Sequence, residues 1–183
     1  MRKALSSKKL SEPNEKVDAV VGVLIQDDAY SDLNLLLIHR AVRSDDPWSG
    51  QMGLPGGRVE ISDPSTKAAL HREVLEEVGL DLDSEGVEIG RLSVSSPMRR
   101  LDFKVQPWVY GLRHHPEIMI SPEVQDTFWV SLSRLPSLRT STEIEIGGSR
   151  RTVDAFLVDG RVVWGFTHRV LDELLAVQEI AGN

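Results

Sequence analysis

The alternation of apolar and polar segments along the chain predicts short strands before and after one long helix. Apolar residues dominate two early segments, Val17 to Gln26 and Leu33 to Arg40. Segments this rich in Val, Ile and Leu are typical of buried strands. The residues between them are mostly Asp, Ser and Asn, which favour turns. We therefore expect the two segments to pair as a hairpin.

The same pattern predicts six further strands and a final helix. The later apolar segments are short and are separated by polar or glycine-containing turns. The predicted strands are Gly86 to Val94, Phe103 to Leu112, Val124 to Leu132, Thr142 to Ile146, Arg151 to Val158 and Arg161 to Trp164. The last segment, from about Thr167 to Ile180, has apolar residues at helical spacing, which predicts a packed helix.

A different pattern fills the stretch from Leu54 to Leu80. Its second half predicts a helix in which Asp63 is the N-cap, Pro64 takes the first position and Gly79 ends the helix. Helical spacing puts three apolar residues on one side and three carboxylates on the other. The apolar residues are Val74, Leu75 and Val78, and the carboxylates are Glu73, Glu76 and Glu77.

Three carboxylates crowded near a helix C-terminus are unfavourable by themselves. Like charges at this spacing disfavour a helix by roughly 0.2–0.5 kcal/mol per pair, and they face the negative end of the helix dipole. A bound Mg²⁺ would relieve the repulsion, since it takes carboxylate, carbonyl and phosphate oxygens. The preceding glycines, Gly56 and Gly57, could bring a backbone carbonyl to the same ion. The alternative is that the acidic face is only solvated.

The whole stretch resembles the Nudix box, G-x5-E-x7-R-E-U-x-E-E-x-G-U, in which U is aliphatic. Arg72 to Leu80 reads R-E-V-L-E-E-V-G-L and matches at every position. Gly57 stands at the glycine position if the spacer is one residue longer, and Asp63 then replaces the first Glu. The resemblance implies an α/β fold, a Nudix-type α/β/α sandwich with a mixed central β-sheet.

The same resemblance implies hydrolysis of a pyrophosphate linkage in a nucleoside diphosphate derivative, with Mg²⁺ or Mn²⁺ as cofactor. By position, Glu73 and Glu77 would be metal ligands, Glu76 a ligand or the general base, and the Gly57 carbonyl a further ligand. Arg72 would orient a carboxylate. Glu123, which precedes the strand at Val124, could supply another ligand or the base.

The loop from Arg40 to Gly53 leads directly into this stretch and could hold the rest of a substrate. Arg40 and Arg43 could bind phosphate through their forked donors, and Trp48 could stack on a base. Surface ion pairs and simple packing of the loop are the alternatives. Arg58, beside the glycines, is a third cation that could bind phosphate.

A narrower resemblance is to the coenzyme A pyrophosphatase branch of this family. LLLIHRA before LPGG, the longer spacer in the box and VVWGFTHRVLDELL near the C-terminus carry the resemblance. The upstream motif departs from the branch: Ile38 and Leu54 replace a Thr and a Phe, and Asp45 stands where a second arginine is expected. ADP-ribose or nucleotide-sugar hydrolysis is therefore an alternative, and so is a nucleotide-sensing domain without catalysis.

Composition limits the remaining possibilities. The chain has 183 residues, 40% of them hydrophobic, enough for one domain from residue 17 to 183 after a flexible polar arm of residues 1 to 16. A net charge of −7 argues against a nucleic-acid partner. No cysteine and no apolar run of membrane-spanning length occur, so we expect a cytoplasmic protein that does not bind membranes. The arm and the resemblance also suggest a homodimer.

Overall fold

A computed structural model describes residues 16–27, 32–44, 48–98, 100–113, 115–146 and 148–182. The predicted arm therefore lies outside the described residues, except for Lys16. None of the described helices is both long enough and apolar enough to cross a membrane.

The described chain forms ten strands, three α-helices and one 3₁₀ turn. The strands are β1 Ala19–Asp27, β2 Leu33–Arg40, β3 Met52–Gly53, β4 Gly56–Arg58, β5 Gly86–Arg91, β6 Val105–Leu112, β7 Val124–Ser131, β8 Arg139–Ile146, β9 Ser149–Val158 and β10 Arg161–Trp164. The helices are α1 Thr66–Val78, α2 Leu82–Glu85 and α3 Gly165–Gly182, and the 3₁₀ turn is Leu135–Leu138.

The central sheet is mixed, as predicted. Its order is β3-β2-β1-β6-β5, with β4 also paired to β1 and β7 to β2. Strand β1 runs antiparallel to β2, its predicted hairpin partner, and parallel to β6. Strands β8, β9 and β10 form a second, antiparallel sheet.

Helices cover both faces of the central sheet, which confirms the α/β sandwich. On one face, Val20, Leu24 and Leu36 pack with the apolar side of α1. On the other, Val23 and Leu35 pack with α3 and the second sheet. Because neighbouring residues of β1 and β2 point to opposite covered faces, these strands are apolar almost throughout.

Two details of the box helix differ from the predictions. Its N-cap is Ser65, whose side chain accepts a hydrogen bond from the Ala68 N–H at 3.1 Å, so the predictions of Asp63 as cap and of Pro64 as the first helical residue were wrong. The buried side consists of Ala69, Leu70, Val74, Glu77 and Val78. Leu75 is instead 51% exposed, because the helix is rotated so that Glu77, rather than Leu75, faces the sheet.

Candidate active site

Strand β4 brings two glycines against the box helix. Gly56 and Gly57 pair with Val21 and Val20 of β1, next to α1. Gly56 has φ 142°, and a Cβ there would lie 2.3 Å from the Val20 carbonyl oxygen. A Cβ on Gly57 would lie 2.4 Å from the carboxyl group of Glu73. Only glycine therefore allows the backbone to approach the Glu73 carboxylate this closely.

Arg72 joins the turn before the helix to the helix itself. Its guanidinium donates to both carboxylate oxygens of Asp63, at 3.1 and 2.9 Å. It also donates to Glu73 Oε1 at 2.8 Å, to Glu76 Oε2 at 3.2 Å and to the Arg58 carbonyl at 3.0 Å. The hydrogen bond from Arg72 lowers the pKa of Asp63. Asp63 thus holds Arg72 and, through it, the two glutamates.

Glu77 is a buried carboxylate, only 4% exposed. Its Oε2 accepts a hydrogen bond from the Gly56 N–H at 2.8 Å, and its Oε1 lies 3.6 Å from Arg40 Nη1. Burial raises the pKa of Glu77 to about 7, although Gly56 and Arg40 act in the opposite direction. Burial likewise raises the pKa of Glu73. Both carboxylates are placed where a cation would stabilise their charged forms.

The loop before β7 brings Glu123 to the same place. Backbone N–H groups of Met119 and Ser121 donate to the last carbonyls of α1, those of Val78 and Glu77, at 3.0 Å each. The Glu123 carbonyl accepts from the Ala41 N–H at 2.9 Å, which ties it to the end of β2. Arg43 Nη1 donates to Glu123 Oε1 at 2.9 Å.

These elements enclose a cavity of about 370 Å³, which we call the acidic cavity. Seven of the candidate residues line it: Arg40, Trp48, Gly57, Arg58, Glu73, Glu77 and Glu123. The other three lie outside the lining. Arg72 and Arg43 act on carboxylates of the lining, and the Glu76 side chain is 59% exposed and held by Arg72.

These residues suit a divalent ion whose remaining coordination positions are filled by substrate or water oxygens. No group of three or more His, Cys, Asp or Glu side chains in the described ranges is close enough to hold an ion alone. Mg²⁺, however, usually binds proteins through one or two carboxylates plus phosphate oxygens and water. The partly buried Glu73 and the buried Glu77, together with the backbone carbonyl of Gly57, match that donor set.

Sequence reasoning missed an aromatic residue of the lining. Two guanidinium groups lie over the Phe103 ring, that of Arg58 at 5.6 Å and that of Arg100 at 5.1 Å from the ring centroid. The Trp48 ring is 6.3 Å away. The pattern suggested only that Phe103 begins a strand, and the one available signal was the basic pair at residues 99 and 100.

The NUDIX domain family matches residues 16–147. An uncharacterised protein of Schizosaccharomyces pombe is 35% identical over 122 residues, which cover 63% of this chain and 37% of that protein. The chain therefore matches little more than a third of that relative's length.

Two solved structures share the fold. The NUDIX domain of Shewanella oneidensis NrtR, complexed with ADP-ribose, has 18% identity and a TM-score of 0.55, with all of both chains covered. The Nudix hydrolase RenU of Mycobacterium smegmatis has 15% identity and a TM-score of 0.54, with 66% and 74% covered.

Proposed function

Because the chain belongs to the NUDIX domain family, we propose that it is a metal-dependent hydrolase that cleaves the pyrophosphate linkage of a nucleoside diphosphate derivative. The family and the hydrolase among the similar structures support a hydrolase of pyrophosphate bonds. The observation that carries the proposal is the acidic cavity, where the box carboxylates Glu73 and Glu77 face Arg40 and Arg58. Enzymes that act on phosphates typically hold them between basic side chains and a carboxylate-bound cation, and the acidic cavity offers both kinds of group.

Nudix hydrolases generally use divalent metals, and Glu73, Glu77 and the Gly57 carbonyl would hold Mg²⁺ or Mn²⁺ here. Such an ion, when bound, neutralises phosphate charge and lowers the pKa of a coordinated water. Arg72 positions Glu73 and Glu76 through its hydrogen bonds and does not line the cavity.

The reaction adds water across the pyrophosphate. The water oxygen bonds to one phosphorus, the bond from that phosphorus to the bridging oxygen breaks, and two phosphomonoesters leave. Arg40 would bind the oxygens of the pyrophosphate. Glu123, which lines the cavity, would take the proton of the water, and the exposed Glu76 is the alternative base.

We further propose coenzyme A as the substrate, with 3′,5′-ADP and 4′-phosphopantetheine as products. The motifs LLLIHRA, LPGG and VVWGFTHRVLDELL support this choice. Discrimination requires a cation for the 3′-phosphate of the ribose. Arg40 contacts Glu77 and Arg43 contacts Glu123, whereas Arg58 lies over Phe103 at the rim of the acidic cavity. We therefore propose Arg58 as the arginine that binds that phosphate.

A turnover panel tests the substrate. Coenzyme A, dephospho-coenzyme A, ADP-ribose, NADH, dinucleoside polyphosphates and sugar nucleotides would be compared with Mg²⁺ and with Mn²⁺. ADP-ribose belongs in the panel because the Shewanella protein binds it. We expect dephospho-coenzyme A to be cleaved roughly ten- to hundredfold less efficiently, since a charge-assisted hydrogen bond contributes about 1.5–3 kcal/mol.

Arg58→Ala should erase that difference, and Arg150→Ala, at an exposed position of β9, should keep it. Faster turnover of ADP-ribose than of coenzyme A would overturn the coenzyme A assignment. No turnover of any compound, with ligand binding retained, would indicate a nucleotide-sensing domain. Three expectations stay predictions from the sequence: a homodimer, a cytoplasmic location and the absence of a nucleic-acid partner. Light scattering would check the homodimer.

A further inference from the structure

Strand β8 lies at the end of the second sheet, and among the described residues no strand pairs with its outer edge. The other edge strands are interrupted or short. Strands β5 and β7 each contain a bulge, and β3, β4 and β10 have two, three and four residues. Strand β8 has eight residues, no bulge, and neither proline nor glycine. A long and regular open edge of this kind is a template for pairing with another strand.

The backbone groups that point to this open edge belong to every second residue of β8. In an antiparallel pair, opposite residues alternate between those that hydrogen-bond to each other and those whose N–H and C=O groups point away. Ile146 and Ser149 are partners next to the turn, so they form a bonded pair. The outward N–H and C=O groups are therefore those of the odd-numbered residues, which also have exposed side chains: Arg139, Ser141, Glu143 and Glu145.

We propose that two copies of the chain associate through β8, whose open edges pair antiparallel about a two-fold axis at Thr142. The outward groups of Arg139 then bond to those of Glu145 of the second copy, and the outward groups of Ser141 bond to those of Glu143. The two second sheets join into one continuous sheet. The proposal gives the expected homodimer a specific interface. It is independent of the proposed function, since β8 contributes no residue to the described lining of the acidic cavity.

The charges of β8 select this register. Each Arg139 faces Glu145 of the second copy, and opposite charges on facing strand residues stabilise the pairing. Arg139 is held in place by Asp172 at 2.7 Å and by the Phe156 ring at 5.2 Å. Its side chain is still 49% exposed, so its remaining donors can bind a second carboxylate. A shift by two residues would either place Glu143 opposite its own copy, which is repulsive, or leave Glu145 beyond the paired region.

Association would also support the part of the β8–β9 hairpin that extends beyond β10. Strand β10 pairs only with residues 155 to 158 of β9, so toward the turn the second sheet consists of two strands. A two-stranded hairpin is marginally stable by itself, whereas three or more strands support one another. At the proposed axis, Thr142 lies opposite Val153 of its own β9. The joined sheet therefore has a row of β-branched side chains across its centre, which favours strand pairing.

Disulfide trapping tests the register, because the chain has no cysteine of its own. Thr142→Cys would face its own copy in a non-hydrogen-bonded pair, where Cα atoms are about 4.5 Å apart and a disulfide can form. Under mild oxidation we expect it to form linked dimers about tenfold or more faster than Val153→Cys, its partner position on β9. Thr140→Cys should link to Ile144→Cys in a mixture faster than either links to itself. Equal rates for Thr142→Cys and Val153→Cys would overturn the proposal.

Association without a cross-link supplies the second readout. Glu143→Pro removes an N–H group that points to the open edge of β8. Thr152→Pro is the matched control, because Thr152 is the β9 partner of Glu143 and its N–H points to the opposite side of the hairpin. In sedimentation velocity of the full chain, wild type and Thr152→Pro should dimerise with rising concentration. Glu143→Pro should dimerise about tenfold or more weakly, since two symmetry-related hydrogen bonds are lost. A wild type that stays monomeric, or equal association of the two proline variants, would overturn the proposal.

Discussion

The charged side chains toward the two ends of the box helix differ in how their charges are compensated. Near its start, Asp63 and Arg72 form a two-bond pair, and Arg72 reaches two further carboxylates. Near its end, the buried Glu77 has one backbone N–H and an arginine at 3.6 Å. The first group is a network of paired charges, and the second is a buried charge with weak compensation. We infer that the first network holds the fold and that the second is kept for a cation.

Their pKa shifts have opposite signs, which supports this division. Arg72 lowers the pKa of Asp63, so the charged form of Asp63 stabilises the folded protein. Burial raises the pKa of Glu77 to about 7, so its charged form destabilises the folded protein when no cation is bound. The loss of stability caused by charged Glu77 is explained if a bound ligand compensates the charge. Strongly perturbed pKa values of this kind are common at functional sites.

The largest expected effect is on turnover in Glu77→Gln. Removal of the proposed metal ligand should lower turnover by orders of magnitude, while the fold in chelator should be as stable as wild type or more stable, since a buried charge is lost. Turnover would be measured on the best compound of the panel and stability by urea unfolding. Glu117→Gln, at an exposed position, is the control. A fully active Glu77→Gln protein would contradict the assigned role.

Arg72→Ala should instead destabilise the fold, by roughly 2–4 kcal/mol, because it leaves the buried Asp63 without its partner. The Asp63 side chain is 6% exposed, so water cannot replace the arginine fully. Arg72→Lys should recover only part of the loss, since an ammonium lacks the two-pronged geometry. Additive effects of Arg72→Ala and Asp63→Ala in a double-mutant cycle would refute the network.

The pH dependence of stability should separate the two ends. In chelator, Glu77 favours the folded state below its unfolded pKa, and this contribution is lost as the pH rises to about 7. Wild type should therefore lose up to about 3 kcal/mol relative to Glu77→Gln between about pH 4.5 and 7.5. Asp63 has the opposite sign: its contribution is present above its unfolded pKa of 3.8 and is lost as the pH falls through its lowered value. Urea unfolding at several pH values checks both, and parallel curves for wild type and Glu77→Gln would count against the burial of charge.

A smaller effect is expected at the N-cap. Ser65→Ala should cost about 1 kcal/mol, because the Ala68 N–H loses its acceptor. Asp63→Ala should cost more, since Asp63 binds Arg72 and does not cap the helix. Thermal unfolding of the two variants compares the roles directly, and a larger loss from Ser65→Ala would reverse them.

Local sequence patterns predicted the elements but could not predict how the box helix is rotated. Strand β2 and strand β10 have the predicted bounds, because uninterrupted apolar segments and turn residues define both ends. Helical spacing alone grouped Glu77 with Glu73 and Glu76 on an open acidic face. The close approach of β4 at Gly56 turns Glu77 inward and leaves Leu75 outside, and this depends on contacts between distant segments.

The candidate site, like the fold, was predictable only where a local sequence motif marks its residues. The box itself indicated Gly57, Glu73 and Glu77, which the fold brings together in the acidic cavity. Phe103 joins the acidic cavity, and Met98 and Trp164 line the neighbouring cavity of about 150 Å³, only through the packing of separate loops and strands. No periodicity in the sequence marks such residues, because they come from separate elements that meet only in the folded chain.

We infer that Glu77 is a buried charge kept for a divalent cation, so Mn²⁺ should stabilise the folded protein through this carboxylate. Urea unfolding of wild type and Glu77→Gln would be compared in chelator and with increasing Mn²⁺, without any substrate. A site that binds only the folded state should stabilise wild type by about 2.7 kcal/mol at a hundredfold excess over Kd. We predict this gain for wild type and its loss in Glu77→Gln. An equal gain in both proteins, or none in wild type, would contradict the claim.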